Sequence, residues 1–122
     1  MERSEIKETL IKSIDVATKE KGYTLARGVW GFNPSKCACI LGCYMAANDL
    51  DIHQYSPILQ EKFGVSEKWI SDFVRGFDGA AEKSLYDQEA FDLGKELFEE
   101  LKVPTYLELR VKAIEEAQKN NN

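Results

Sequence analysis

Three cysteines close together in the sequence and a single histidine are the first residues to test for chemistry. Cys37, Cys39 and Cys43 have the spacing Cys-x-Cys-x3-Cys, and His53 follows them. Four such side chains can bind zinc. On one continuous helix, however, Cys37 lies about 200° around the axis from Cys39, so the three thiols do not converge. We therefore expect no metal and no cofactor, and small buried cysteines instead.

A cysteine could also act as a nucleophile. Cys37 would lie in the first turn of the same helix, where the helix dipole and Lys36 could lower the pKa of its thiol. Nucleophilic catalysis also needs a base, and His53 lies beyond the other end of that helix. The glycines are too scattered for a phosphate-binding loop. We expect no catalytic residues and therefore no enzyme.

Three acidic residues late in the chain share one helix face. Asp92, Glu96 and Glu99 are spaced by four and three residues, opposite an apolar stripe. Acid–base catalysis needs a pocket that shifts the pKa of a carboxylate, and a solvated ridge provides none. This ridge is expected to be an ordinary charged outer face, with an acidic docking surface for a basic partner as the functional alternative.

The charge of the chain is unevenly distributed. The net charge is −5; residues 1–36 hold seven basic and five acidic side chains (7 − 5 = +2), whereas residues 78–101 hold two and eight (2 − 8 = −6). Broad attraction to nucleic acid needs a basic face. Nucleic acid is therefore a possible partner that the charge disfavours.

The longest uncharged run predicts a buried central helix. Within residues 36–48 (KCACILGCYMAAN), no residue from Cys37 to Ala47 is charged, and a helix that is apolar on every side belongs in the middle of a bundle. Asn33 and Pro34 precede it as start signals. Gly42 in this helix, and Gly94 in a later one, indicate close contacts between helices.

Apolar residues at three- and four-residue spacing predict further helices on both sides of this run. The capping signals are Ser56 with Pro57, Ser66, and Thr105 with Glu108. In the last helix, Leu107, Val111 and Ile114 are expected to face inward. The prediction is one all-α domain, residues 1–122, forming a compact bundle of about six helices around the helix at residues 36–48.

The segment Ile58 to Gly76 (ILQEKFGVSEKWISDFVRG) resembles the helix-turn-helix pattern of bacterial DNA-binding proteins. The resemblance implies that Lys68, Ser71 and Arg75 are offered to a DNA groove. Residues 55–76 carry three acidic and three basic side chains, so this segment is neutral. Phosphate contacts supply much of the affinity in such complexes, which makes DNA binding the alternative function and not the first.

The sequence also bears on the cellular setting. No run approaches the ~20 apolar residues that a bilayer requires, and the first residues lack the apolar core of a signal peptide. We expect a cytoplasmic protein without a membrane partner. The cysteine-containing Leu-Gly segment, together with the later Gly-Phe-Asp-Gly turn at residues 76–79, resembles small bacterial or phage proteins and implies no function.

Without a catalytic constellation, the favoured function is that of a non-enzymatic interaction protein. It would bind a protein partner or itself through a helical surface, since interfaces favour aromatic residues. A small-ligand pocket near residues 37–44 is a further alternative. The aromatic residues expected to anchor a partner are Trp30, Phe32, Trp69, Phe73 and Phe77.

Overall fold

The computed structural model describes residues 1–29 and 36–120 and contains six α-helices. Two short strands, β1 (Thr24–Leu25) and β2 (Cys37–Ala38), pair in parallel, and a 3-10 turn, Ile52–Gln54, precedes the third helix. The predicted all-α bundle of about six helices is confirmed. The helices are α1 (Arg3–Lys19), α2 (Ile40–Ala47), α3 (Tyr55–Phe63), α4 (Glu67–Phe77), α5 (Gln88–Leu101) and α6 (Tyr106–Asn120).

The central helix starts later than the sequence predicts. Residues 37 and 38 are extended, and the amide of Ala26 donates a hydrogen bond of 2.9 Å to the carbonyl of Ala38. Cys39 is the N-cap of α2, with its sulfur accepting from the amide of Gly42 at 3.4 Å. An apolar run does not by itself distinguish a buried strand from a buried helix, which explains the error. The expected start signals at Asn33 and Pro34 lie outside the described residues.

The hydrophobic core is built around α2, as expected for a helix without a polar face. Every residue from 37 to 45 is buried. The ring of Tyr44 in α2 lies 4.9 Å from the ring of Phe63 in α3. Large side chains from the surrounding helices close the core, and those that are almost completely buried include Leu10, Phe73, Phe77, Leu93 and Leu97. Removal of this apolar surface from water is the main stabilising term.

Of the three predicted helix starts that lie within the described residues, two form as expected. The hydroxyl of Ser66 accepts from the amide of Trp69 at 3.0 Å. The hydroxyl of Thr105 accepts from the amide of Glu108 at 3.0 Å and donates to its carboxylate at 3.1 Å. The third helix, α3, begins one residue before Ser56, whose hydroxyl accepts from a side chain within the helix instead of capping it.

Helices α4 and α5 cross at a pair of glycines. A methyl group on Gly76 would overlap the backbone carbonyl of Phe91, and one on Gly94 would overlap the backbone carbonyl of Phe73. The obstacle is backbone in both cases, so it cannot rotate away as a side chain can. The close approach predicted at Gly94 is confirmed, and Gly76 is its counterpart on the facing helix.

Oppositely charged residues of α1 and α5 face each other. Arg3 pairs with Glu96 at 3.1 Å, and Lys7 pairs with Glu96 at 3.4 Å and with Glu100 at 3.0 Å. Some basic side chains of residues 1–36 therefore form ion pairs with acidic side chains of residues 78–101. In the part of the chain that the structure describes, no helix combines the length and apolarity needed to cross a bilayer.

Candidate interaction surface

The last helix, α6, presents an apolar face to solvent. All 15 residues of α6 are described, and none of them is buried. Leu107 is 71% exposed, Val111 47% and Ile114 52%. Their spacing of four and three residues places them on one face, which we call the α6 stripe. The prediction that these three residues face inward is wrong, because the rest of the described chain does not cover them.

Arg27 attaches the start of α6 to the body of the protein. Its amide donates to the carbonyl of Pro104 at 2.9 Å, and its carbonyl accepts from the amide of Tyr106 at 2.9 Å. Its guanidinium donates to the carbonyl of Val103 at 2.8 Å and lies 3.9 Å from the ring centre of Phe98. These contacts, together with the buried side chain of Val103, hold the start of α6 against the body.

Three of the five aromatic residues that the sequence suggested as partner anchors lie in α4. Phe73 and Phe77 are 0% and 1% exposed, so they belong to the core and cannot contact a partner. Trp69 is half-buried, with its ring stacked on Phe73 at 5.2 Å. Trp30 and Phe32 lie outside the described residues. The apolar spacing within α4 thus marked the side of the helix that packs against α5, not an interface.

The segment that resembles a helix-turn-helix does contain two helices joined at a glycine. Gly64 ends α3 in the left-handed conformation, with φ of 66°, and α4 follows. Of the three residues implied to contact DNA, Lys68 and Ser71 are exposed. Arg75 is half-buried and donates to the backbone carbonyls of Ala81 at 3.3 Å and Lys83 at 2.7 Å. Because this arginine is used within the chain, the helix offers little positive charge to phosphates.

Asp72, which lies between Ser71 and Arg75 in the same helix, is completely buried. Its carboxylate accepts from the amides of Tyr86 at 2.6 Å and Asp87 at 2.7 Å, and the guanidinium of Arg75 lies 3.6 Å away. Asp87 in turn is the N-cap of α5. Asp72 therefore holds the α4–α5 connection in place. This role was not predicted from the sequence. The available signal is that Asp72 lies four residues before Gly76 and therefore on the same, buried side of α4.

The three cysteines are buried, and none forms a disulfide. Burial raises the pKa of the Cys39 and Cys43 thiols to about 12 each. At neutral pH both are therefore thiols, which are poor nucleophiles and poor metal ligands. Within residues 1–29 and 36–120, no group of three or more histidine, cysteine, aspartate or glutamate side chains is placed to hold a metal ion.

These raised pKa values predict a loss of stability at alkaline pH. The unfolded thiols ionise near pH 9, whereas the folded ones stay protonated, so the stabilisation is complete below pH 9 and declines toward pH 12. Each thiol should lower the free energy of unfolding by about 1.4 kcal/mol per pH unit in that window. Urea unfolding of the wild type and of Cys43→Ala between pH 8 and 10.5 measures this. The variant should show the shallower decline, and equal slopes would contradict the prediction.

For the small-ligand pocket that the sequence offers as an alternative near residues 37–44, the structure shows an open groove beside Tyr44. A groove of about 300 Å³ runs between α1 and α2, and Thr9, Ser13, Tyr44 and Asn48 are among its lining residues. The cysteines do not line it. The groove is open to solvent, whereas small-ligand sites bury most of the ligand.

The acidic ridge of α5 is not a uniform docking surface. Glu96 is paired with Arg3 and Lys7, and the carboxylate of Asp92 accepts from the side chain of Gln88 at 2.9 Å. Glu99 is exposed. A basic partner would have to compete with the pairing between α1 and α5, so this face is the weaker candidate.

Comparisons of the chain with protein-family models, with curated proteins and with solved structures find no match. The residues of this chain are therefore the only basis for assigning a function. Among the surfaces described above, the α6 stripe is the one that places several exposed apolar side chains at regular helical spacing.

Proposed function

We propose that this protein is a non-enzymatic interaction protein that binds a protein partner, or a second copy of itself, through the α6 stripe. The observation that supports the proposal is an amphipathic helix whose apolar face is open to solvent from Leu107 to Ile114. Contiguous exposed apolar residues framed by polar ones are typical of protein–protein interaction sites. An amphipathic helix that contributes anchors at positions i, i+4 and i+7 is a recurring recognition mode.

The energetics favour a covered α6. A helix of 15 residues is marginal in water on its own, and most helices in proteins are stabilised by packing of an apolar face. Covering a leucine, valine or isoleucine completely contributes about 1.5–3 kcal/mol per side chain. Three such side chains are enough to offset part of the entropy lost on association. A partner on the α6 stripe would supply the packing that the described body does not.

The test compares two variants of α6 that introduce the same residue on opposite faces. In the stripe variant, Leu107, Val111 and Ile114 are replaced with glutamine; in the control, Lys112→Gln and Glu116→Gln change the other face. Both should keep the helical circular dichroism of the wild type, because all five side chains are exposed. We expect analytical ultracentrifugation at about 1 mM protein, for self-association, and quantitative affinity capture, for another protein, to show a complex in at least one of the two for the wild type and the control only. Complexes that survive in the stripe variant would contradict the proposal.

A further inference from the structure

We infer that the occupant of the α6 stripe is the α6 helix of a second copy of this chain, lying parallel and in register as a short two-stranded coiled coil. The inference rests on the proposed function and specifies its partner. Two features of α6 support it, namely the order of residues along the stripe and the charges on its two sides.

The stripe follows the a/d repeat of a coiled coil. Gln118 continues the spacing of the α6 stripe, so the steps from Leu107 are four, three and four residues. This spacing places Leu107 and Ile114 at d positions and Val111 and Gln118 at a positions. Parallel, in-register pairing sets identical residues against each other in every layer. Three layers are then apolar, and in the fourth the two Gln118 amides can hydrogen-bond to each other.

The charges beside the stripe are complementary in the same alignment. At 100° per residue, Arg110 lies on one side of the stripe and Glu115 on the other. They occupy g and the following e position, which face each other between parallel strands, so symmetry creates two Arg110–Glu115 pairs. Both residues are exposed, and the guanidinium of Arg110 lies 5.8 Å from the ring centre of Tyr106, one turn away beside the stripe.

Antiparallel pairing of the same helix is disfavoured by the same residues. It would place Glu108 opposite Glu115 twice, and like charges at these positions destabilise a coiled coil. It would also set Leu107 against Gln118, which leaves the amide without a polar partner. The parallel alignment avoids both problems and is therefore the favoured one.

The size of the stripe predicts a weak dimer. The first two layers have Leu107 at d and Val111 at a, a combination that favours two strands. Three apolar layers bury less than the roughly 1,200 Å² of a standard stable interface. We therefore expect a dissociation constant on the order of 0.1 mM, with monomers at low micromolar concentration and dimers near 1 mM.

Cross-linking through one engineered cysteine distinguishes the alignments. In Gln118→Cys, parallel pairing brings the two α-carbons within the ~7 Å that a disulfide tolerates. Antiparallel pairing about the middle of the stripe leaves them about 16 Å apart along the axis. The natural cysteines are buried and therefore give little background. At about 0.5 mM protein with oxidised glutathione, we expect Gln118→Cys to form a disulfide dimer several-fold faster than Lys112→Cys, on the other face.

A charge exchange in the Gln118→Cys background tests the pairing of Arg110 with Glu115. Arg110→Glu should slow cross-linking several-fold, because it places two negative charges opposite each other. Adding Glu115→Arg should restore the rate. If a mixture of Leu107→Cys and Gln118→Cys chains forms mainly mixed dimers, the helices are antiparallel and the inference is overturned.

The cross-linking rates and the affinity capture together distinguish a failure of this inference from a failure of the proposed function. Cross-linking of Gln118→Cys at the rate of Lys112→Cys overturns self-pairing. If affinity capture still shows a complex that depends on the α6 stripe, the proposed function stands with another protein as occupant. If neither measurement depends on the stripe, both are overturned.

Discussion

Replacement of Gly94 with alanine is expected to lower the free energy of unfolding by about 3 kcal/mol. Helix propensity alone predicts the opposite sign, a gain of about 1 kcal/mol for alanine. The added methyl group would lie 2.8 Å from the amide nitrogen of Phe77 and would overlap the carbonyl of Phe73, so α4 and α5 must move apart. Urea unfolding followed by circular dichroism measures the change.

A matched control and a double variant make this prediction sharper. Glu99→Ala, on the exposed face of the same helix, should change the free energy of unfolding by less than about 0.5 kcal/mol. Gly76→Ala should resemble Gly94→Ala, because its methyl group meets the carbonyl of Phe91. Once one methyl group has separated the helices, the second should cost less, so the double variant should lose less than the sum of the single losses. Stabilisation by Gly94→Ala would show that the helices do not meet at the two glycines.

Asp72→Ala is expected to have a similarly large effect, a loss of about 3 kcal/mol in the free energy of unfolding. The change removes the carboxylate that accepts from the amides of Tyr86 and Asp87, and it leaves Arg75 without its acidic neighbour. Urea unfolding gives the loss in stability. Hydrogen exchange should show that the amides of Tyr86 and Asp87 lose protection first.

The controls for Asp72 vary charge and position separately. Asp72→Asn keeps one acceptor oxygen without the charge, so it should recover part of the loss. Asp92→Ala removes an exposed carboxylate from the neighbouring helix and should change the free energy of unfolding by no more than about 0.5 kcal/mol. Equal stability of Asp72→Ala and Asp92→Ala would rule out a structural role for the buried carboxylate.

Features of the fold that depend on neighbouring residues were predictable from the sequence. Ser66 caps α4 and Thr105 caps α6 through amides three residues further on, so the signal and its partner are in the same short segment. Gly94 also carried a readable signal, because a glycine within a strongly periodic helix usually has a packing reason. The signal did not reveal which helix approaches it.

The start of α2 was not predictable in the same way. The partner of residues 37–38 is β1, and the pairing register is Thr24 with Cys37 and Leu25 with Ala38. Strands of two residues show no alternation that a sequence pattern can reveal. The uncharged run therefore correctly predicted that residues 37–45 are buried, but it predicted their secondary structure only in part.

The burial of Phe73 and Phe77, which the sequence offered as partner anchors, was not predictable for a related reason. Periodicity shows that one face of a helix is apolar, but it does not show what covers that face. Phe73 and Phe77 are covered by the core, whereas Leu107, Val111 and Ile114 are open to solvent. The difference depends on whether a neighbouring helix lies over the face. That is a property of the tertiary structure.

The contact between Arg27 and Val103 joins residues separated by 76 positions in the chain. No residue of α6 itself is buried, so little apolar packing holds the helix to the body beyond residues 103–106. The last helix should consequently form a cooperative unit of its own, which detaches and reattaches while the helices around α2 stay folded. The helix that carries the α6 stripe would then melt separately from the core. Heating would abolish binding at the α6 stripe at a temperature at which the core is still folded.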